Sequence, residues 1–356
     1  MVYLPLVVIF PALWVISPLR WVGGISALIY YLSASKDLIM GASHYYDISF
    51  LSGALIWVGV GIIQMLPYLI LWCPGKNRRV FRVPLLILVL AIPPFGIVGW
   101  ANPLTASGVI FPHFGWLGLV FTLGLMMAIS RWPIVSVIPI TLCVALIFHT
   151  DLPVPTLPLG WKGIDTQYPF KFGHQFYIED YYRHLDMIQT CKRSDETVLV
   201  FPESVGGKWN SSTQQLWETY YPNSDKTILV GAVNTFHNRQ ENVIIQISGK
   251  SSHIIYKQRV PIPLNMLNID SELSLSANGF RNPVVQVRNQ LIAPLICYEQ
   301  FLMWTILHSQ LYGADTILAI GNLSWAKDTH IPAIQKMIVT SWAMLFDTDL
   351  VMAVNQ

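Results

Sequence analysis

The sequence predicts a chain of two parts: an α-helical polytopic membrane domain followed by an α/β domain. Three observations carry that expectation. The 356 residues are 53% hydrophobic and only 12% charged, with a mean hydropathy of +0.48, outside the range of an ordinary water-soluble protein. The charge is also unevenly divided: residues 1–150 hold seven Lys/Arg and two acids, Asp37 and Asp47, and the rest of the chain holds the other fifteen and eighteen. Past residue 160, short β-rich runs alternate with helical stripes and are interrupted by hairpins. That pattern points to an α/β sandwich and away from a simple doubly wound sheet.

Residues 1–150 are expected to form about six spans. Phe50 to Trp72 is the clearest, apolar throughout and closed by an aromatic residue. Arg82 to Ala101 follows with Pro93-Pro94 inside it, tolerable where neighbours satisfy the freed carbonyl. Trp116 to Ser130 and Ile134 to His149 are further candidates. Val2 to Ser17 and Trp21 to Leu32 are short, so each reads as a tilted span or half of a re-entrant pair. Met1 to Ser17 lacks a basic start and more spans follow, which argues against a cleaved signal peptide. Lys76, Arg78, Arg79 and Arg82 form the densest cationic loop, which the positive-inside rule places in the cytoplasm. Counting onward, the chain emerges on the far side after His149. The expectation is therefore a multi-pass protein of the bacterial inner membrane with its C-terminal domain in the periplasm.

Residues 151–162 hold several prolines and read as a semi-rigid linker, leaving 163–356 as the second domain. A helical stripe runs from His174 to Cys191 through Phe176, Tyr181, Leu185 and Ile188. Thr197 to Phe201 reads as a strand, Ser212 to Tyr220 as a helix and Thr227 to Ala232 as a strand. Hairpins are expected over Asn242–Ile247 with His253–Tyr256, and over Pro283–Val287 with Leu291–Ile296. A helix to Tyr312, a strand Asp315 to Ile320, a helix begun near Pro332 and a strand Leu350 to Val354 complete the order.

Three apolar runs end on groups capable of chemistry: Val-Leu-Val-Phe-Pro-Glu203, Ile-Ile-Tyr-Lys257 and Pro-Leu-Ile-Cys297. A thiol can attack, a carboxylate can take its proton and an ammonium can stabilise a developing oxyanion. The start of a helix just after Cys297 is expected to lower the thiol pKa. Singly, each residue has a plainer reading: Glu203 as a helix cap, Lys257 as a solvated strand end, Cys297 as core.

In this order, Phe-Pro-Glu203, Tyr-Lys257 and Ile-Cys297-Tyr-Glu299 resemble the Glu–Lys–Cys triad of the nitrilase, or carbon–nitrogen hydrolase, superfamily. The resemblance implies an αββα sandwich. A polytopic N-terminal domain joined to it is similar to apolipoprotein N-acyltransferase, which moves an acyl chain from a phospholipid through a thioester. Gly163-Ile-Asp-Thr166, Phe-Pro-Glu-Ser-Val205 and Gln-Arg-Val-Pro-Ile-Pro263 look closer still to TraB-type conjugal-transfer proteins of plasmids. By that resemblance Glu203 is the general base, Lys257 the oxyanion stabiliser and Cys297 the nucleophile. Glu299 supports the site, and Asn322 and Trp325 line the pocket. The implied partners are a phospholipid or other acyl or amide substrate at the membrane surface, membrane lipids and the conjugation machinery, with no direct nucleic-acid contact.

The chain departs from the acyltransferases at two points. They follow their lysine with Pro-Phe-Gly-Glu, whereas this sequence continues Lys257-Gln-Arg-Val-Pro-Ile-Pro-Leu-Asn265 with no acid. Their arginine-rich helix reads here as Lys336-Met-Ile-Val-Thr-Ser-Trp342. These departures keep a non-catalytic envelope or binding component open beside the enzyme, and a true apolipoprotein N-acyltransferase as a further alternative. A transporter is disfavoured because no span carries an acidic or histidine relay. Of four cysteines, Cys73 falls at the cytoplasmic edge and Cys143 in a span, so Cys191 and Cys297 are the pair that an oxidising compartment could join. The nine histidines are scattered, and no zinc pattern or glycine-rich phosphate loop occurs. No metal or other cofactor is expected.

Overall fold

The computed structural model describes residues 4–132, 154–169, 177–221, 225–236, 239–263, 278–326 and 328–356. By contacts it divides into two compact units that interleave along the chain. The first gathers the described residues of Met1–Pro155 with Phe301–Leu307 and Asp328–Thr348; the second holds the described residues of Thr156–Gln300, His308–Lys327 and Asp349–Gln356.

The second unit is built on two sheets. Strands β1 (Trp161–Gly163), β2 (Val198–Phe201), β3 (Thr227–Phe236), β4 (Arg239–Ser248) and β5 (Ser251–Lys257) lie side by side in that order. β1 to β3 run parallel, and β3, β4 and β5 are antiparallel. The other sheet orders β6 (Val285–Val287), β7 (Gln290–Ile296), β8 (Thr316–Asn322) and β9 (Asp349–Asn355), with β6–β7 antiparallel and the rest parallel. Both expected hairpins are present, as β4–β5 and β6–β7. β1 falls where the sequence reads as the end of a linker. Val198, Leu199, Val200 and Phe201 are all buried, and so is every residue of β8, which is why these runs are continuously apolar instead of alternating.

Alternation in the first sheet sends side chains to two different cores. Val198, Val200, Leu229, Ile244 and Tyr256 meet Ile292, Ile296, Leu318, Ile320 and Val351 of the second sheet. Leu199, Phe201, Ile228, Val230 and Ile245 face Met187, Ile188, Cys191 and Trp217. These last belong to helices Tyr177–Arg193 and Ser211–Tyr220. Each fully buried aliphatic side chain contributes about 1.5–3 kcal/mol. The result is a layered α/β sandwich with a helical layer on the outer face of its five-stranded sheet.

The first unit is helical, but among its described residues only one or two helices are long enough to span a membrane. Among the described residues one helix, Phe50–Ile70, is long and apolar enough to cross a membrane, or two if Gly96–Ile110 and Gly115–Arg131, bent by 116°, are taken as one span. Trp21 to Leu32 lies in a helix of 15 residues, Arg20–Ala34, about 22 Å long against a hydrocarbon core of about 30 Å. Val2 to Ser17 divides into a 3₁₀ turn, Leu4–Ile9, and a short helix, Phe10–Ile16. Arg82 to Ala101 breaks after Val89 and resumes as a 3₁₀ segment, Gly96–Ala101, because Pro93 and Pro94 supply no backbone N–H. Trp116 to Ser130 falls inside Gly115–Arg131, and Ile134 to His149 lies outside the described residues. Six spans are therefore not what the described helices present.

Two cations of the basic cluster are also spoken for. Arg79 is buried and donates to the carbonyls of Val15 (2.8 Å) and Cys73 (2.8 Å), and Arg82 donates to Leu71 (2.9 Å). Carbonyls at helix ends lack intrahelical donors, and a guanidinium satisfies several at once. The late helix Ile331–Phe346 belongs to this unit and approaches the 107–110 turn closely. A Cβ on Gly108 would sit 1.6 Å from the Ser341 carbonyl oxygen, so only glycine permits that approach.

Candidate functional site

The C-terminal ends of β2, β5, β7 and β8 bring polar side chains together in the second unit. Glu203 follows β2 by two residues. The turn there is tight: Ser204 has a left-handed backbone (φ +61°), and a Cβ on Gly231 of β3 would lie 2.6 Å from Glu203 Cα. Glycine in β3 thus lets the Glu203 segment cross. Its buried carboxylate accepts Asn322 N–H at 2.9 Å and Asn242 Nδ2–H at 2.9 Å, and it is hydrogen-bonded to the Cys297 thiol.

Cys297 ends β7 and opens a 3₁₀ turn, Cys297–Phe301. It also has a left-handed backbone, φ +50°, a conformation a non-glycine residue keeps only when its surroundings hold it there. The backbone N–H groups of Tyr298 and Asn322 are hydrogen-bonded to its sulfur. The expected lowering of the thiol pKa does not occur. Burial, then the Glu203 carboxylate, push it well above the ordinary value, and the two N–H groups offset only part of this. Burial also pushes Glu203 up to about 7, against the hydrogen bonds from Asn322 and Cys297. A glutamate close to neutrality beside a protonated thiol is matched to taking that proton near physiological pH.

Lys257, the last residue of β5, donates to Glu241 Oε2 at 2.7 Å, and its side chain is about a third exposed. Glu241 is buried on β4, and Asn234 Nδ2 on β3 donates to the same oxygen at 3.2 Å.

Glu299 lies between the ends of β5 and β7. It accepts from the backbone N–H groups of Ile296, Arg259 and Val260 and from the Tyr256 hydroxyl. The Arg259 guanidinium is 3.9 Å away, and both side chains are fully buried. Burial raises the Glu299 carboxyl, with Arg259 opposing. Because Ile296 immediately precedes Cys297, this carboxylate ties the cysteine's strand to the turn after Lys257. Gln258 reinforces the tie through Nε2 to the Ile296 carbonyl at 3.0 Å, while its Oε1 accepts Asn242 Nδ2–H at 3.0 Å.

Asn322 ends β8; its N–H holds Glu203, and its Oδ1 accepts from Ser324 Oγ (2.9 Å) and Asn355 Nδ2 (3.2 Å). Trp325 returns its indole N–H to the Asn322 carbonyl at 2.8 Å.

Glu203, Cys297 and Asn322 are therefore in direct contact, Glu299 supports the backbone beneath Cys297, and Lys257 meets the group through β4. Glu241, Asn242 and Gln258 are additions that the sequence reading did not single out. Their one signal was polarity in Gln240-Glu-Asn-Val243 at the start of an otherwise apolar strand. No disulfide joins Cys191 to Cys297: the first lies in the core under the helical layer and the second in the core between the sheets. Among the described residues no cluster of His, Cys, Asp and Glu could hold a metal ion.

The carbon-nitrogen hydrolase family model matches residues 87–344. The conjugal transfer protein TraB of Agrobacterium fabrum is 35% identical over 99% of this chain and 87% of its own length. A probable conjugal transfer protein TraB of Sinorhizobium fredii is 34% identical over 99% of this chain and 92% of its own. Among solved structures, a variant of the Nesterenkonia AN1 amidase, from the nitrilase superfamily, is similar at 12% identity over 56% of this chain and 78% of that one, with a TM-score of 0.39. The family match across most of the sandwich, together with end-to-end relatives at this identity, establishes that the chain belongs to the carbon-nitrogen hydrolase family, in the company of the TraB conjugal transfer proteins.

Proposed function

We propose that this chain is a membrane-associated cysteine acyltransferase or amide hydrolase that works through a thioester on Cys297 and serves conjugal transfer. One observation carries the reading: the hydrogen-bonded Glu203–Cys297 pair, with the cysteine on a left-handed backbone at a strand end. The sulfur attacks the carbonyl carbon of an ester or amide while Glu203 accepts the thiol proton. The Lys257 ammonium and nearby backbone N–H groups stabilise the oxyanion. Protonated Glu203 passes its proton to the departing amine or alcohol, and the thioester remains. Water or an acceptor nucleophile, deprotonated by Glu203, then releases the acyl group.

Membrane association is supported by the first unit, where Trp21, Ile29, Leu55, Ile70, Phe81 and Leu117 are all more than half exposed. Apolar surface of that extent favours a lipid environment. The domain division at 150–163, a multi-pass first domain and a periplasmic sandwich belong to this proposal. A cysteine introduced at exposed Lys250, in the β4–β5 turn, is expected to react with a membrane-impermeant maleimide in intact cells. Labelling only after lysis places the sandwich in the cytoplasm.

The chemical test is mass spectrometry of the protein purified with its native lipid, paired with plasmid-transfer frequency. An acyl adduct on Cys297, lost with transfer in Cys297→Ala, is the expected result. No adduct, with undiminished transfer by the variant, sinks the enzymatic reading. That outcome supports a non-catalytic envelope component, the reading favoured by the raised thiol pKa.

A further inference from the structure

The first unit holds a cluster of cations that the proposed chemistry does not use. Its helices Arg20–Ala34 and Phe50–Ile70 run antiparallel: a Cβ on Gly24 would meet Leu69, and one on Gly61 would meet Leu28 and Leu32. Arg20 therefore stands beside the Ile70 end of the longer helix. The next helix, Lys76–Val89, brings Lys76, Arg78, Arg79 and Arg82 to that end. Lys76 Nζ donates to the Arg131 carbonyl at 3.1 Å, which adds the last residue of Gly115–Arg131. Six of the seven Lys and Arg of residues 1–150 are thus gathered at one end.

The described acids of this unit lie elsewhere. Asp37 and Asp47 flank the helix Leu38–Tyr46. That helix packs on the Phe50 end of the long helix, since a Cβ on Gly53 would meet Ser43 and the Ile39 carbonyl. The 21 residues of Phe50–Ile70 put about 30 Å between its two ends. Asp347 pairs with His113, at the opposite end of Gly115–Arg131 from Arg131. Asp328 is two residues from His330, which binds Asp37.

The helix Lys76–Val89 divides its cations by face. Arg79 is buried among carbonyls. Arg78 and Arg82 are one turn apart and share a face with Phe81, Leu85 and Leu88. Those three are 75%, 51% and 48% exposed. Arg78 is exposed and belongs to none of the ion pairs of the described residues. Exposed Trp21 and Trp132 adjoin Arg20 and Arg131, as tryptophans do at the headgroup level of a bilayer.

We infer that this face is an anionic-phospholipid site, with the phosphate between Arg78 and Arg82 and the acyl chain along Phe81, Leu85 and Leu88. The inference rests on the membrane-associated reading of the first unit. A guanidinium offers a phosphate two parallel N–H donors. Charge alone would suit any phosphate, but an exposed apolar strip that continues from the two guanidinia suits one that carries a chain. Arg20, Lys76 and Arg131 add to the field and disfavour a headgroup with its own cation. Each cation near an anionic lipid contributes about fivefold to affinity.

The test is native mass spectrometry of the full-length protein in detergent, titrated with dioleoyl phosphatidylglycerol and with dioleoyl phosphatidylcholine. Wild type is expected to bind the first at least about tenfold more tightly, a preference that weakens as salt rises. Arg78→Gln should cut phosphatidylglycerol affinity about fivefold and leave phosphatidylcholine within about twofold. Adding Arg82→Gln should bring the loss to about 25-fold. Arg82 also closes a helix end, so melting temperature is followed in parallel; if the double variant unfolds, Arg78→Gln decides alone. Lys36→Gln, at the acidic end, is the control and should change neither lipid by more than about twofold. Phe81→Ser should weaken both lipids alike. Equal wild-type affinity for the two lipids, or Arg78→Gln no different from Lys36→Gln, overturns the site. Displacement of phosphatidylglycerol by an equal concentration of glycerol 1-phosphate makes it a free-phosphate site and overturns the lipid assignment. Vesicle flotation after detergent removal separates these failures from failure of the underlying reading. A protein that floats with neither lipid is not membrane-associated; one that floats equally with both is membrane-associated and lacks the site.

Discussion

Glu203 and Glu299 are both buried glutamates at strand ends in the sandwich, and burial raises both. They differ in how completely they are satisfied. Glu299 has three backbone N–H groups, a tyrosine hydroxyl and a buried guanidinium around two oxygens. Glu203 has one backbone N–H, one side-chain amide and a thiol, and no cation pairs with it within 4 Å among the described residues. A saturated carboxylate has nothing left to exchange and serves the backbone it ties. A carboxylate short of donors, held near neutrality beside a protonated thiol, has a proton to trade. The difference in surroundings, not in residue type, separates support from chemistry.

The comparison breaks most visibly under isosteric substitution. Glu203→Gln keeps shape and loses the base, so acylation or alkylation of Cys297 near neutral pH is expected to slow by about 10²- to 10⁴-fold. Its denaturation midpoint near neutral pH should not fall, because the neutral amide stands in for the protonated carboxyl. Glu299→Gln should do the reverse. It strands the fully buried Arg259 without its countercharge, at about 3–5 kcal/mol, which denaturation reads directly. Any loss of reactivity in that variant should follow from loss of fold. Equal instability in the two variants would erase the distinction.

A smaller effect lies in the pH dependence. Glu203 titrates at about 7 in the folded chain against an ordinary 4.5, so the folded state binds this proton more tightly than the unfolded one. Its contribution to stability is present in full below pH 4.5 and is lost as pH rises through 7, by roughly 3 kcal/mol in all. Reactivity runs the other way, since the proton acceptor is the ionised form, and should climb through pH 7. Denaturation and alkylation measured from pH 5 to 8 should therefore show opposite slopes, both flattened in Glu203→Gln. Parallel slopes would mean another group controls the site.

How far these features were legible depended on whether they were local. Glu203, Lys257 and Cys297 each close an apolar run, and the end of a strand is visible in the strand itself. Glu241 and Asn242 sit at the start of β4. Their contacts with Glu203 and Lys257 arise from β4 lying between β3 and β5 and from the match of Val243 with Lys257, and no spacing along the chain encodes that pairing. Glu299 was singled out, but its partner Arg259 was not, because a fully buried arginine looks from sequence like a solvated one. The thiol was misjudged for a similar reason: the nearby helix start was legible, and the burial that outweighs it was not. In the first unit, apolar composition alone does not separate a spanning helix from two short ones broken at Pro93, Pro94 and Gly96. Nor does it show that Arg79, counted as a topological charge, closes helix ends.

Trp325 offers the finest test of the boundary between support and site. Its indole N–H donates to the Asn322 carbonyl, and the N–H of the same asparagine grips Glu203. Trp325→Phe removes that bond and keeps an aromatic ring, at about 1 kcal/mol of stability. If the ring's only task is to hold Asn322, alkylation of Cys297 should follow that small change, and the length of an acyl substrate should not matter. If the ring also lines the path of an acyl chain, Trp325→Ala should slow thioester formation from p-nitrophenyl octanoate more than from p-nitrophenyl acetate. The expected gap is about tenfold, the value of roughly 1–2 kcal/mol of apolar contact. Trp325→Phe should recover most of it. An equal loss with both esters returns Trp325 to the same class as Glu299, a residue that holds the backbone and never meets the substrate.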